Sequence, residues 1–402
     1  MKRPMTAAAV IASGVLACSG DSAGPGEPEL NVARVVVQPD SVMLEAGDTQ
    51  QFRAFAIRLN GDTISGVSFQ WFSSDTSLAQ VDESGVATAL WEGKAFITAE
   101  ASGVSGEAVL AVARQELIAF SSIRSINHDI YLVRLDGTGL RRVTTDASVE
   151  DYPDWSPDGE KIAFSRRGIG IPTSIYSVNM DGSELTNLTP TITWARGAAW
   201  SPDGERIAFQ GRQNENDPVE ILVMNLATGE LTRITREGVP RANNNVAPAN
   251  PRWSPDGARI LYETHRGGDW NIYSVNADGT NPVSLTNNPA DDRDPAWSPD
   301  GSRIAFSSDR NGNSITELLT ADFDIWVMNA DGSEAVSIIS TPSVERRPDW
   351  SPDGSRFVFA LNRNLGNFYD WSELYLMNAD GSNPTAVTQN STSGNSRPRW
   401  RR

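Results

Sequence analysis

The residues best equipped for chemistry are arginines placed irregularly, a few positions before a repeated tryptophan: Arg196, Arg293, Arg346, Arg347 and Arg397. A guanidinium is permanently charged and planar, so a cluster of them selects carboxylates and phosphates through paired hydrogen bonds. Asp151, Asn250 and Asp294 interrupt the series, while Trp194, Trp270 and Trp371 offer aromatic anchors beside it. A second arginine series is regular: Arg124, Arg167, Arg212, Arg266, Arg310 and Arg363 each follow a short apolar run. Acids at Asp129, Glu220, Asp269, Asp324 and Glu373 precede the next run, so this second series reads as structural ion pairing.

Enzyme chemistry finds little support. His128 and His265 fall in connecting segments, which predicts surface or packing roles and no metal site. There is no Gly-x-Ser-x-Gly elbow, His-Glu-x-x-His pair or phosphate-cradling glycine loop. Asp291, Asp292 and Asp294 read as solvated loop charges before Ca²⁺ ligands. A formal charge of −17 disfavours nucleic acid and anionic membrane surfaces as partners. The expectation is a monomeric binding protein without cofactor or metal, not an enzyme.

A repeat must position these groups. Trp-Ser-Pro-Asp-Gly begins at Trp155, Trp200, Trp253, Trp297 and Trp350. Proline presets the first corner of a turn, and glycine permits the positive φ that leaves it. Short strands follow each motif, beginning with Ile162-Ala163-Phe164 and its counterparts, so each repeat predicts a four-stranded blade of ~45 residues. Ile118-Ala119-Phe120 and Ile130-Tyr131 begin a repeat that lacks its innermost strand; Arg397-Pro398-Arg399-Trp400 supplies it from the far end. Residues 115–402 therefore predict a six-bladed β-propeller with a split first blade. One face gathers the turn aspartates. The other holds the first arginine series and the long insertions 236–250, 307–324 and 360–373.

Residues 30–113 alternate short apolar runs with turn signals, such as Phe69-Gln70-Trp71 before Ser84-Gly85, which predicts a β-sandwich of roughly seven strands. Trp71 is its expected core tryptophan. Before it, Met1-Lys2-Arg3 and the apolar run Ala7–Ala17, too short to span a bilayer, read as a signal peptide over 1–17. The single cysteine, Cys18, excludes an intrachain disulfide, and the polar segment 18–29 reads as a flexible tether.

Three resemblances sharpen this all-β reading. Val15-Leu16-Ala17-Cys18 resembles the lipobox of bacterial lipoproteins, which implies lipidation of Cys18 and an outer-membrane anchor, facing the periplasm or the medium. Leu44–Asp48, Trp71–Asp75, Val81–Leu90 and Gly93–Ala99 resemble the bacterial Ig-like group 2 domain, for which a spacer role is favoured over adhesion. The Trp-Ser-Pro-Asp-Gly repeat resembles the WD-like propeller repeat of the TolB family. That resemblance implies an envelope binding or scaffold protein whose arginine-rich face meets a protein or peptide, an acidic one by charge complementarity. The alternative is a carbohydrate-binding or lyase-like surface propeller acting on acidic glycans.

Overall fold

A computed structural model describes residues 31–124, 127–237, 247–266, 268–310, 323–362, 372–389 and 394–402. The expected signal peptide, Cys18 and the tether lie outside these residues. The chain divides into two units, 1–115 and 116–402.

The first unit is built from three sheets of short strands. Alternation along Gly93–Ala101 turns Ala95, Ile97 and Ala99 inward, where they meet Phe52, Leu110 and Val112. Trp71 packs against this core, and a Cβ on Gly85 would strike both its ring and the Phe52 carbonyl. Only glycine admits that approach, and its φ of +83° suits no other residue well.

The second unit consists of six four-stranded antiparallel sheets. Their innermost strands are Asn395–Trp400, Val149–Trp155, Trp194–Trp200, Ala249–Trp253, Asp292–Trp297 and Val344–Trp350, numbered here as sheets one to six. Sheet one joins both ends of the unit, because Asn395–Trp400 pairs antiparallel with Leu117–Ser122. The tryptophans fill the seams between sheets. Trp400 packs among Val358, Leu376, Ile118 and Phe120, and Trp350 among Ala296, Val327, Phe357 and Phe359. Burying such large rings on both sides makes each seam a small hydrophobic core.

The Ser-Pro-Asp-Gly turns are stapled internally. Ser254 Oγ donates to Asp256 Oδ1 at 2.5 Å, and Asp256 also accepts the Ala258 N–H at 3.0 Å. The same contacts recur at Asp158, Asp300 and Asp353. Hydrogen bonds from serine hydroxyls and backbone N–H hold Asp300 and Asp353 at a pKa of about 2. The acidic face is thus a set of self-satisfied turns.

One irregularity repeats around the ring. In every innermost strand the pairing slips between the fourth and the first residue before the tryptophan. The residue three before it adopts positive φ in all six sheets: Arg397, Tyr152, Gly197, Asn250, Asp294 and Arg347. Five of the six are not glycine, so the bulge re-aims side chains at a backbone cost of about 1 kcal/mol or more each.

Candidate functional site

These bulges bring the irregular arginines into two groups. Arg397 Nη1 donates to both oxygens of Asp151, at 3.0 and 2.9 Å, and its guanidinium lies 3.6 Å from the centre of the Tyr152 ring. Arg196 leans on the same ring at 4.5 Å, with Nη2 3.8 Å from Asp151. Burial alone would raise the Asp151 pKa, but Arg397, then Arg196, pull it well below the usual carboxylate range.

In the second group Arg346 donates to Asp294 from Nε at 3.0 Å and approaches it with Nη2 at 2.9 Å. Arg347 reaches the same carboxylate only at 4.0 Å. Burial would raise Asp294, yet Arg346, Arg347 and Arg293 hold it down at about 2. Arg347 shows the converse strain. Burial first, then the neighbouring Arg397 and Arg346, lower its pKa to about 10. Arg293 is engaged elsewhere, 2.9 Å from Glu263 and 4.0 Å above the Trp270 ring. Five arginines thus share three carboxylates, and Arg347 is the least compensated.

The expected anchors fare unequally. Trp270 is only 7% exposed and serves as a bed for Arg293, so it is not an open aromatic anchor. Trp194 is half-buried at the rim end of its strand, with Arg212 5.9 Å from its ring. Trp371 lies outside the described residues, as do 238–246, 311–322 and 363–370 of the long insertions. Tyr152 and Glu263 were missed by sequence reasoning. Tyr152 occupies the same repeat position as Arg347 and Arg397, a signal that aligning the six repeats would have exposed.

The second arginine series pairs differently from expectation. Arg310 meets Asp292 of the innermost strand at 2.8 Å, while Asp129 and Glu220 are met from the outermost strands by Arg142 and Arg233. In the second sheet Arg166, not Arg167, lies by Asp146 and Glu150. Side chains pair across a sheet according to register, which periodic spacing along the chain does not reveal. Among the described residues, no three His, Cys, Asp or Glu side chains form a group that could hold a metal ion.

A family model described as the TolB beta propeller domain matches residues 100–250 and 220–318. The chain belongs to the TolB β-propeller family. A model of the bacterial Ig-like domain (group 2) matches residues 31–112. A Protein TolB homolog from Chlorobium luteolum is 48% identical over 46 residues, a match that spans 11% of either chain. Among solved structures, a putative TolB from Agrobacterium tumefaciens is 21% identical with a TM-score of 0.55, over 71% of this chain and 99% of that one. TolB from Acinetobacter baumannii is 18% identical with a TM-score of 0.57, over 84% of each chain. At these identities the likeness of this TolB-like propeller to solved structures is one of fold.

Proposed function

We propose that this chain is an envelope-anchored binding protein whose propeller rim receives carboxylates of a protein or peptide partner. The observation that carries the reading is Arg347: a half-buried guanidinium beside two other arginines, sharing at 4.0 Å a carboxylate that Arg346 already holds. An incoming carboxylate would supply the missing counter-charge, and the walls around it strengthen the attraction. Arg397 and Tyr152 give the pocket a preset edge, so little ordering cost remains at binding. Anchoring would come from a lipid on Cys18, supported by the Val15-Leu16-Ala17-Cys18 sequence, with the Ig-like unit as spacer.

Crosslinking in cells followed by purification tests the rim. The double variant Arg346→Glu plus Arg347→Glu should lose the partner that wild type captures. Capture unchanged in that variant rejects the rim. Binding of uronate polymers on a glycan array, in place of a protein, would favour the acidic-glycan alternative.

A further inference from the structure

Beyond the rim, the residue just before each tryptophan forms an inner layer: Arg399, Asp154, Ala199, Arg252, Ala296 and Asp349 in sheets one to six. Its charged members converge on the ring axis. Arg252 of sheet four interacts electrostatically with Asp154 of sheet two and Asp349 of sheet six, each two sheets away. All four charged members are buried.

Two of the acids perform a backbone task. Asp154 Oδ2 accepts the Trp200 N–H at 2.9 Å, and Asp349 Oδ2 accepts the Trp400 N–H at 2.8 Å, in each case from the following sheet. Trp253 and Trp350 have the same register in their own sheets, so their N–H groups point the same way. The sheets preceding them carry Ala199 and Ala296 at the place of the aspartate, those preceding Trp155 and Trp297 carry Arg399 and Arg252, and among the described residues only Trp200 and Trp400 have an aspartate as acceptor. Arg252 stands between the two vacated positions. It is 7% exposed; Nη1 donates to its neighbour Pro251 O at 2.8 Å, and buried Nε has no partner. No carboxylate lies within ion-pair distance of its guanidinium among the described residues.

A buried guanidinium with an unpartnered Nε, next in the chain to the unanswered Trp253 N–H, is an incomplete hydrogen-bonding shell, costly unless something fills it. We propose that an oxyanion fills it, accepting from Arg252 and from the adjacent Trp253 N–H, as Asp154 and Asp349 accept from Trp200 and Trp400. The chemistry required is a small carboxylate or phosphate-like group. Its source is either a free anion or an acidic side chain entering along the axis. The site is separate from the rim and does not depend on the rim binding a protein.

The test follows thermal unfolding of the full chain in rising sodium acetate, rising sodium phosphate, or a short peptide ending in aspartate. Wild type is compared with A199D/A296D, which builds the missing carboxylates into the chain, and with R252M. The expected result is a saturable rise in Tm for wild type, with half-saturation at least about tenfold weaker in both variants. A response to the free salts assigns the site to a free anion, and a response to the peptide alone assigns it to an inserted side chain. Should R252M fail to fold, A199D/A296D still carries the comparison. Parallel slopes in every protein, the mark of a general salt effect, overturn the proposal, as does a wild type flat in all three series.

Discussion

Arg401 stands over Trp155 with its guanidinium 5.5 Å from the ring centre, and its Nε donates to the Gly159 carbonyl at 2.8 Å. At three other seams this place belongs to the first residue of a sheet's second strand. Arg206 covers Trp253 at 4.6 Å, Arg303 covers Trp350 at 5.2 Å and Arg356 covers Trp400 at 5.1 Å, each in the next sheet. Sheet one has Leu117 at that position, and Arg401, whose N–H donates to Leu117 O at 2.9 Å, supplies the cation from the other end of the chain.

Arg401→Ala should therefore weaken closure of the ring itself. The lost cation–π contact and charge-assisted hydrogen bond together predict a cost of about 2–3 kcal/mol. Denaturant unfolding of the propeller unit measures it. A cost below about 0.5 kcal/mol would mean that closure rests on Trp400 packing alone.

The repeat was legible because its turn demands particular residues: a proline, an aspartate and a glycine after each tryptophan leave little alternative geometry. The bulges were not. Tyr152, Asn250, Asp294 and Arg347 share a repeat position but no chemistry, and only the strand pairing shows that the backbone bulges at all of them. The rim arginines could be named from sequence, whereas their degree of compensation could not. Arg346 and Arg347 are neighbours in the chain, yet only the fold shows that both lean on Asp294, 52 and 53 positions back by their numbers.

Asp294→Asn tests that shared carboxylate through two readouts of opposite sign. Removing one member of a largely buried ion cluster predicts a loss of about 3 kcal/mol in unfolding free energy. The same change leaves Arg346 and Arg347 without a resident anion, so affinity for an acidic peptide at the rim should rise. Calorimetric titration of wild type and variant with one peptide reads the second effect. Weaker binding by the variant would show that Asp294 orients the arginines for a ligand and does not compete with it.

Burial raises Asp349 to about 6 against an unfolded value of 3.8, with Arg402 and the Trp400 N–H opposing the shift. A carboxyl held above its unfolded value contributes stability that is full below the unfolded pKa and is lost as pH rises through the folded one. The Asp349 contribution should thus decline between about pH 4 and about pH 7. The depressed turn aspartates act in the opposite direction at lower pH, so the informative quantity is wild type minus Asp349→Asn. That difference should fall across this window in urea unfolding. A difference independent of pH would place the Asp349 pKa near its ordinary value.

A threonine two residues past the outermost strand ties each of five sheets together. Thr144, Thr189, Thr235, Thr286 and Thr388 Oγ1 accept the N–H of Ile130, Ile175, Ile221, Ile272 and Leu374, each at 2.9 Å. Valine keeps the shape and removes the acceptor, leaving a buried N–H unanswered at about 1–3 kcal/mol. Thr388 carries a further load, because Asn395 Nδ2 of the closing strand donates to it at 3.1 Å while Asn395 Oδ1 accepts from Ser122 Oγ at 2.7 Å. Thr388→Val should therefore cost more than Thr189→Val, whose hydroxyl serves only the Ile175 N–H, and Asn395→Ala should erase part of the difference in a double-mutant cycle. Equal costs for the two threonines, with additive effects of Asn395→Ala, would show that the closing strand is held by its tryptophan and arginines without help from this bond.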